Sequence, residues 1–129
     1  MYFSQLLPKL NNEQLFVHFF YARGVPVRDV DGAARAALDR HGILDAFKHG
    51  LGHGTGLQIH ESPRMSPISH EILASGMIIT VEPGVYYDGD FGIRIEDDVL
   101  VTEKDSEVLS SAVPKERDEM QELRAAAFR

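Results

Sequence analysis

Three histidines in a glycine-rich segment are the first residues whose spacing suggests chemistry. They are His49, His53 and His60, and alternating glycines run from residue 50 to residue 56. Glycine on both sides of His53 removes side-chain cover, so a ligand or another backbone can approach its ring. A single histidine is more often a surface or core residue, but this grouping favours a functional site. The other histidines have no such neighbours and are interpreted as structural or exposed: His18, His41 and His70.

Two glutamates are predicted to face each other across a hairpin. Residues 77–81 and 93–102 have the composition of strands, and the Asp-Gly-Asp sequence at 88–90 is typical of a turn between them. A turn centred on that glycine places Glu82 opposite Glu96, with Cβ atoms about 5 Å apart, where like charges are destabilising. Such a pair requires a cation, a shared proton or a register changed by a β-bulge.

A bound metal ion would turn this repulsion into binding. Carboxylates alone favour calcium or magnesium, whereas a nearby imidazole favours manganese, iron, cobalt or zinc. The three histidines of the glycine-rich segment are the candidate imidazoles. His60 follows a short strand-like stretch, residues 57–59, which would direct it toward the same cleft.

The charged residues around Glu96 have simpler interpretations as well. Strand alternation puts Arg94 on the same face as Glu96, where it would either neutralise the site in a salt bridge or bind a substrate carboxylate. Asp97 and Asp98 are interpreted as a solvated acidic cluster or as hydrogen-bonding groups at a strand end.

The elements that must position these residues indicate an α+β fold, with helices first and an antiparallel sheet after them. The clearest helix lies between Pro26 and Gly42. Its apolar stripe is formed by Val30, Ala33, Ala34, Ala37 and Leu38, and its solvent face by Arg28, Asp29, Arg35, Asp39 and Arg40. The sequence predicts a buried helix from Glu13 to Arg23, capped by Asn11 or Asn12. It also predicts a solvated terminal helix from Pro114 to Arg129.

The composition is that of a globular protein with room for one domain or part of one. The chain has 129 residues and a formal net charge of −7, a balance that disfavours binding to nucleic acid and to anionic membranes. It has no cysteine, which excludes disulfides and thiolate nucleophiles. Its most apolar early stretch, Leu15 to Ala22, is too short to span a bilayer. We therefore expect a cytoplasmic protein.

Together these residues resemble the C-terminal half of the catalytic domain in the pita-bread metallopeptidases, the family of methionine aminopeptidase, aminopeptidase P, prolidase and creatinase. Three segments in this order carry the resemblance: GLGHGTGLQIHESP at 50–63, GMIITVEPGVY at 76–86 and GIRIEDDVLVT at 92–102. The resemblance extends over residues 24–113 and is strongest to the Xaa-Pro peptidase branch. Residues 1–23 match the family poorly, and residues 114–129 lie beyond the match.

The resemblance implies a role for each candidate residue. The corresponding metal ligands are His53, Glu82 and Glu96. The catalytic groups are His60, which steadies the substrate, and Glu82, which exchanges protons. The substrate pocket is lined by His49 and Arg94. The implied activity is hydrolysis of peptide bonds near proline. It would require one or two divalent ions (manganese, cobalt, zinc or iron) that make a water molecule nucleophilic near neutral pH.

The chain departs from the family in one respect. Pita-bread peptidases complete their metal site with two aspartates from the preceding half-domain, and no segment here matches them. Asp29, Asp31 and Asp39 lie on the predicted helix with a spacing that serves solubility, so they are not assigned as ligands. The resemblance therefore implies a truncated domain with little or no activity alone, or a non-catalytic binding or scaffold module. We also expect a homodimer or a half-domain partner, because sheet edges and apolar surface are left uncovered.

Overall fold

Helix α1, Val27–Arg40, is the first regular element in the computed structural model, which describes residues 22–128. Its apolar stripe packs inward as predicted, and Gly42 follows its end with φ +65°, a conformation that favours glycine. Two assignments to the solvent face were wrong. Asp31 is fully buried, and Arg35 is half-buried because it forms an ion pair with Asp31.

Seven short antiparallel strands follow within the described residues. They are β1 (Gly52–Gly54), β2 (Glu61–Met65), β3 (Ile78–Val81), β4 (Gly84–Tyr87), β5 (Phe91–Arg94), β6 (Asp97–Val101) and β7 (Ser106–Val108). Five of them form one sheet in the order β2-β1-β3-β6-β7, and β4 and β5 form a separate pair. The predicted α+β class is therefore confirmed.

Two apolar clusters hold these layers together. One joins α1 to the five-stranded sheet through Val30, Met65, Ile79 and Val99, among others. The second lies beneath the β4–β5 pair and joins the end of α1 to Phe47, Val85 and Ile93. The candidate site residues predicted from the sequence lie where the five-stranded sheet meets the β4–β5 pair.

The register predicted for the hairpin is confirmed. Val81 pairs with Asp97 at the end of β3, and Gly84 pairs with Arg94 at the start of β4. Between these ladders the amide of Ile95 donates to the carbonyl of Pro83 at 3.3 Å. The two segments of the hairpin therefore keep the same register across the junction, and Glu82 lies opposite Glu96 as the turn geometry predicts. The predicted strand over residues 93–102 is interrupted at this junction.

Several local predictions were wrong or incomplete. Residues 57–59 form an exposed bend rather than a strand, and strands β1, β2, β4 and β7 had no prediction. β2 contains Pro63, which weakened its sequence signal, and proline is tolerated there because β2 is an edge strand. The predicted helix over 13–23 lies mostly outside the described residues; Ala22 and Arg23, which are described, are not helical.

The terminal helix forms with a shorter span than predicted. Helix α2 is Arg117–Ala127, and none of its residues is buried, which agrees with the predicted solvated helix. Among residues 22–128, neither this helix nor any other is long and apolar enough to cross a membrane.

Candidate active site

His53 and Glu82 form the centre of the site. His53 lies on β1, and Glu82 follows β3, the neighbouring strand. The Nε2 atom of His53 is 3.2 Å from Oε1 of Glu82, and both side chains are largely buried. Thr80 supports this pair: its hydroxyl accepts the His53 amide at 3.0 Å and lies 3.0 Å from Glu82 Oε1. Sequence analysis missed Thr80, although strand alternation places it on the same face as Glu82.

The hydrogen bonds of His53 determine what its ring can bind. Nδ1 lies 2.9 Å from the carbonyl oxygen of Gly54, and because a carbonyl only accepts, Nδ1 carries the hydrogen. In the neutral ring, Nε2 then presents a lone pair to the Glu82 carboxylate. Two acceptors at this distance repel each other unless a proton or a cation lies between them, and this is the arrangement of a metal-binding histidine.

Arg94 supplies a positive charge between the two glutamates. Its Nε atom lies 3.6 Å from Oε2 of Glu82 and 3.9 Å from Oε2 of Glu96. Loss of solvation raises the pKa of Glu96 above its ordinary value, and repulsion from Glu82 raises it further, while attraction to Arg94 opposes both effects. The salt bridge that the sequence allowed for Arg94 is therefore present.

His60 and His49 have different contacts around this centre. The His60 ring contacts the His53 ring edge-on, with centroids 4.4 Å apart, and its side chain is exposed on the bend before β2. His49 contacts Tyr86 instead, with Nε2 3.2 Å from the phenol oxygen. All six predicted site residues therefore lie along one continuous set of contacts, in which Tyr86 joins His49 to Arg94.

Tyr86 is a site residue that sequence analysis missed. Its hydroxyl hydrogen-bonds Arg94, which is the largest cause of the raised pKa of that guanidinium, and it also reaches His49. The ring lies across two glycines: a Cβ atom at Gly84 or at Gly92 would come within 2.7 Å of it. Gly84 lies two residues before Tyr86 and Gly92 pairs with it in the hairpin. These two glycines beside a tyrosine were the sequence signal that could have identified Tyr86 as a site residue.

The donors at this site are those of a divalent transition-metal site, but the described residues do not complete one. Imidazole nitrogen with carboxylate oxygen suits manganese, iron, cobalt or zinc. Within residues 22–128, however, no three histidine, aspartate or glutamate side chains converge closely enough to hold an ion by themselves. The side chain of Glu96 reaches Arg94 rather than the His53–Glu82 pair.

Asp97 is a buried structural group rather than part of a solvated cluster. It is 3% exposed and pairs with Lys115 at 2.9 Å, and it also accepts a hydrogen bond from Ser110. The alternative interpretation, a hydrogen-bonding group at a strand end, is therefore the one that the structure supports. Asp98 is exposed and pairs with Thr80 in the β3–β6 ladder.

Comparison with known sequences gives a consistent result. The family model described as "Metallopeptidase family M24" matches residues 18–103. An uncharacterised peptidase of Staphylococcus aureus (strain USA300) is 47% identical over 87 residues, which cover 67% of this chain and 25% of that protein.

Solved structures with a similar fold include a Xaa-Pro dipeptidase from Bacillus anthracis and an X-Pro aminopeptidase from Thermotoga maritima. The first has a TM-score of 0.82 and 38% identity, over 87% of this chain and 31% of that one. The second has a TM-score of 0.82 and 35% identity, over 87% of this chain and 32% of that one. The chain thus spans about a quarter to a third of the length of these proteins. The predicted pita-bread fold is confirmed, and the chain belongs to metallopeptidase family M24.

Proposed function

We propose that this chain is the C-terminal half of a Xaa-Pro-type catalytic domain, similar to aminopeptidase P and prolidase, that hydrolyses peptide bonds near proline. The observation that carries the proposal is the 3.2 Å approach of His53 Nε2 to Glu82 Oε1, with the other ring nitrogen tied to a carbonyl. The relatives named as a Xaa-Pro dipeptidase and an X-Pro aminopeptidase support the substrate class.

His53, Glu82 and Glu96 are the residues that would hold a divalent ion. Such an ion supplies Lewis acidity, which makes a water molecule nucleophilic near neutral pH. Manganese, cobalt, zinc and iron all suit these donors, and the number of ions is one or two in this proposal.

The remaining steps depend on the side chains themselves. Glu82, which is largely buried beside the Thr80 hydroxyl, would accept a proton from the attacking water and donate it to the leaving amine. His60 is exposed next to His53, so it would contact the scissile peptide. His49 and Arg94 would line the pocket for the rest of the substrate, held in place by Tyr86.

We further propose that the chain alone has little activity. It spans a quarter of the length of the Staphylococcus aureus relative, and residues 22–128 bring no three potential metal ligands together. The missing ligands would come from the rest of a longer protein or from a partner chain, and the proposed location is the cytoplasm.

A non-catalytic binding or scaffold module is the second candidate. One observation favours it: Arg94 already bridges Glu82 and Glu96, so the repulsion between the glutamates is partly compensated without an ion. In that case the residues of the site would be kept by packing and charge balance alone.

Calorimetric titration of chelator-treated protein with manganese, cobalt and zinc separates the two candidates. One weak site would indicate an incomplete metal centre, two tight sites an assembled enzyme, and no site a scaffold. His53→Gln should abolish the binding, whereas His70→Gln, at an exposed histidine outside the site, should leave it unchanged. Equal loss in both variants would show that the ion binds elsewhere or nonspecifically.

A hydrolysis assay with Xaa-Pro dipeptides then distinguishes binding from turnover. We expect little or no release of product from the purified chain at any of the three metals. Rapid, metal-dependent hydrolysis would contradict the proposed dependence on missing ligands.

A further inference from the structure

Asp31 and Arg35 form an ion pair inside the molecule, on a helix face where the sequence predicts solvent. Arg35 Nε lies 2.7 Å from Oδ2 of Asp31, whose side chain is fully buried, while that of Arg35 is 27% exposed. A buried ion pair contributes little net stability, because the cost of removing both charges from water offsets their attraction. A gain in stability therefore does not explain why this ion pair is buried, and its other contacts indicate a different role.

The pair holds two consecutive peptide groups beside His49. Arg35 Nη2 donates to the carbonyl of His49 at 2.8 Å, and Oδ1 of Asp31 accepts from the amide of Leu51 at 3.0 Å. The peptide group that contains this amide also contains the carbonyl of Gly50. That carbonyl oxygen lies 2.7 Å from Nδ1 of His49. Asp31 therefore orients the peptide plane that binds the imidazole.

This arrangement fixes one tautomer of His49. The carbonyl of Gly50 can only accept, so Nδ1 of the ring carries the hydrogen, and Nε2 of the neutral ring presents its lone pair to Tyr86. Arg35 also lies over the Phe47 ring, 4.7 Å from its centroid, and Phe47 contacts the His49 ring at 4.9 Å. Arg35 thus contacts both the backbone of His49 and the aromatic ring that packs against it.

We infer that Asp31 and Arg35 are positioning residues that set the tautomer and the orientation of His49. Neither side chain reaches the His53–Glu82 pair; both act through the backbone between residues 49 and 51. The inference rests on the proposed function only in placing His49 beside a substrate. The geometric part concerns the folded chain and does not require activity.

The test is nitrogen-15 NMR of the histidine rings in the whole chain, with the His49 signals assigned by their loss in His49→Gln. The variants are Asp31→Leu, which removes the acceptor for the Leu51 amide while keeping a side chain of similar size, and Arg35→Lys, which keeps the charge but removes the planar fork. The matched control is Asp29→Asn, on the same helix, where Asp29 forms an exposed pair with Arg28.

We expect the native chain and Asp29→Asn to show His49 with the hydrogen on Nδ1. In Asp31→Leu and Arg35→Lys this pattern should be lost in favour of the Nε2–H form, while backbone signals away from residues 47–51 and from the substituted turn of α1 stay unchanged. Folded variants that keep the native His49 pattern would overturn the inference, as would an Nε2–H tautomer in the native chain. If neither variant folds, hydrogen exchange in the native chain decides: a Leu51 amide that exchanges as fast as an exposed one contradicts the bond to Asp31.

A peptide titration tests whether this positioning of His49 affects substrate binding. Chemical shifts of the metal-loaded chain are followed as Ala-Pro is added, and Arg35→Lys should weaken binding several-fold while Asp29→Asn does not. If the native chain does not bind the peptide, the proposed function fails, and the ring tautomer alone decides the role of Asp31 and Arg35.

Discussion

At the scale of single residues, the site combines two carboxylates that repel each other with one guanidinium that restrains them. Arg94 lies within 4 Å of both Glu82 and Glu96. Its attraction is not sufficient to offset the loss of solvation at Glu96, because the net effect on the pKa of that carboxyl is upward. Glu96 is therefore held in the folded chain at some cost to stability.

The raised pKa of Glu96 predicts a pH-dependent effect of Glu96→Gln. A carboxyl with a higher pKa in the folded than in the unfolded chain contributes stability below its ordinary pKa, and this contribution is lost as pH rises through the raised value. In chelator, Glu96→Gln should therefore match the native chain near pH 4 and exceed it at pH 7. The gain should be about 0.5 kcal/mol, because the side chain is 44% exposed and solvent screens the interaction.

Urea unfolding at the two pH values measures this difference. Glu107→Gln, at an exposed position on β7, is the control and should change stability equally at both. A Glu96→Gln chain that is less stable than the native one at pH 7 would show that the contact with Arg94 outweighs the desolvation of Glu96.

At the scale of elements, β1 depends on glycine for its place in the sheet. A Cβ atom at Gly52 would lie 2.0 Å from the carbonyl oxygen of Thr80 on β3, and the clash is with backbone that cannot move independently. Gly52→Ala should therefore separate β1 from β3 and cost at least about 3 kcal/mol of unfolding free energy. His53 would be displaced with it, so metal binding should also be lost.

Gly32→Ala is the matched control for this substitution. Gly32 lies within α1, is exposed, and has nothing within 4 Å of its Cβ position. Alanine there should raise stability by about 0.5–1 kcal/mol, because glycine is unfavourable in a helix interior. Thermal unfolding of both variants checks the pair, and a tolerated Gly52→Ala would contradict the close approach of the two strands.

At this scale, the sequence predictions were accurate where the interacting residues are close together in the sequence. The turn at residues 88–90 fixes the hairpin register, since Gly89 supplies the positive φ that the turn needs and the paired strands follow from it. Asp31 was misplaced because its burial depends on the amide of Leu51, twenty residues away, whereas Arg35, four residues further along the helix, is equally compatible with an exposed ion pair. Tyr86 was missed for a similar reason: its contact with His49 joins residues that are 37 positions apart in the sequence.

The C-terminal segment is fastened to the sheet by a buried ion pair. Asp97, at the start of β6, pairs with Lys115 just before α2, and α2 itself buries no residue. Lys115→Met should leave the Asp97 charge uncompensated and lower the unfolding free energy by about 3 kcal/mol. Lys104→Met, at an exposed turn position, should change it by less than about 0.5 kcal/mol.

A double variant distinguishes loss of the pair from loss of packing around Lys115. Asp97→Asn removes the buried charge while keeping an acceptor for Ser110, so adding it to Lys115→Met should restore part of the lost stability. If the double variant is less stable than the native chain by the sum of the two single effects, the two residues do not act as a pair.

At the scale of the whole molecule, the described chain leaves strand edges and apolar side chains uncovered. β2 and β7 are the edges of the five-stranded sheet, and β4 and β5 pair with each other alone. Large apolar side chains are exposed on the loops around β2, namely Leu57, Ile59, Ile68 and Ile72. Both features favour association with another chain.

We therefore expect sedimentation velocity to show association that increases with protein concentration. Replacing Leu57 and Ile59 together by serine should weaken it about tenfold, equivalent to about 1.4 kcal/mol, because two apolar side chains would lose their buried contacts. Phe128→Ser, at an exposed aromatic after α2, is the control and should leave association unchanged. A purely monomeric chain at high concentration would contradict the prediction. Equal weakening by Phe128→Ser would place the contact at the terminal helix, away from the bend that carries His60.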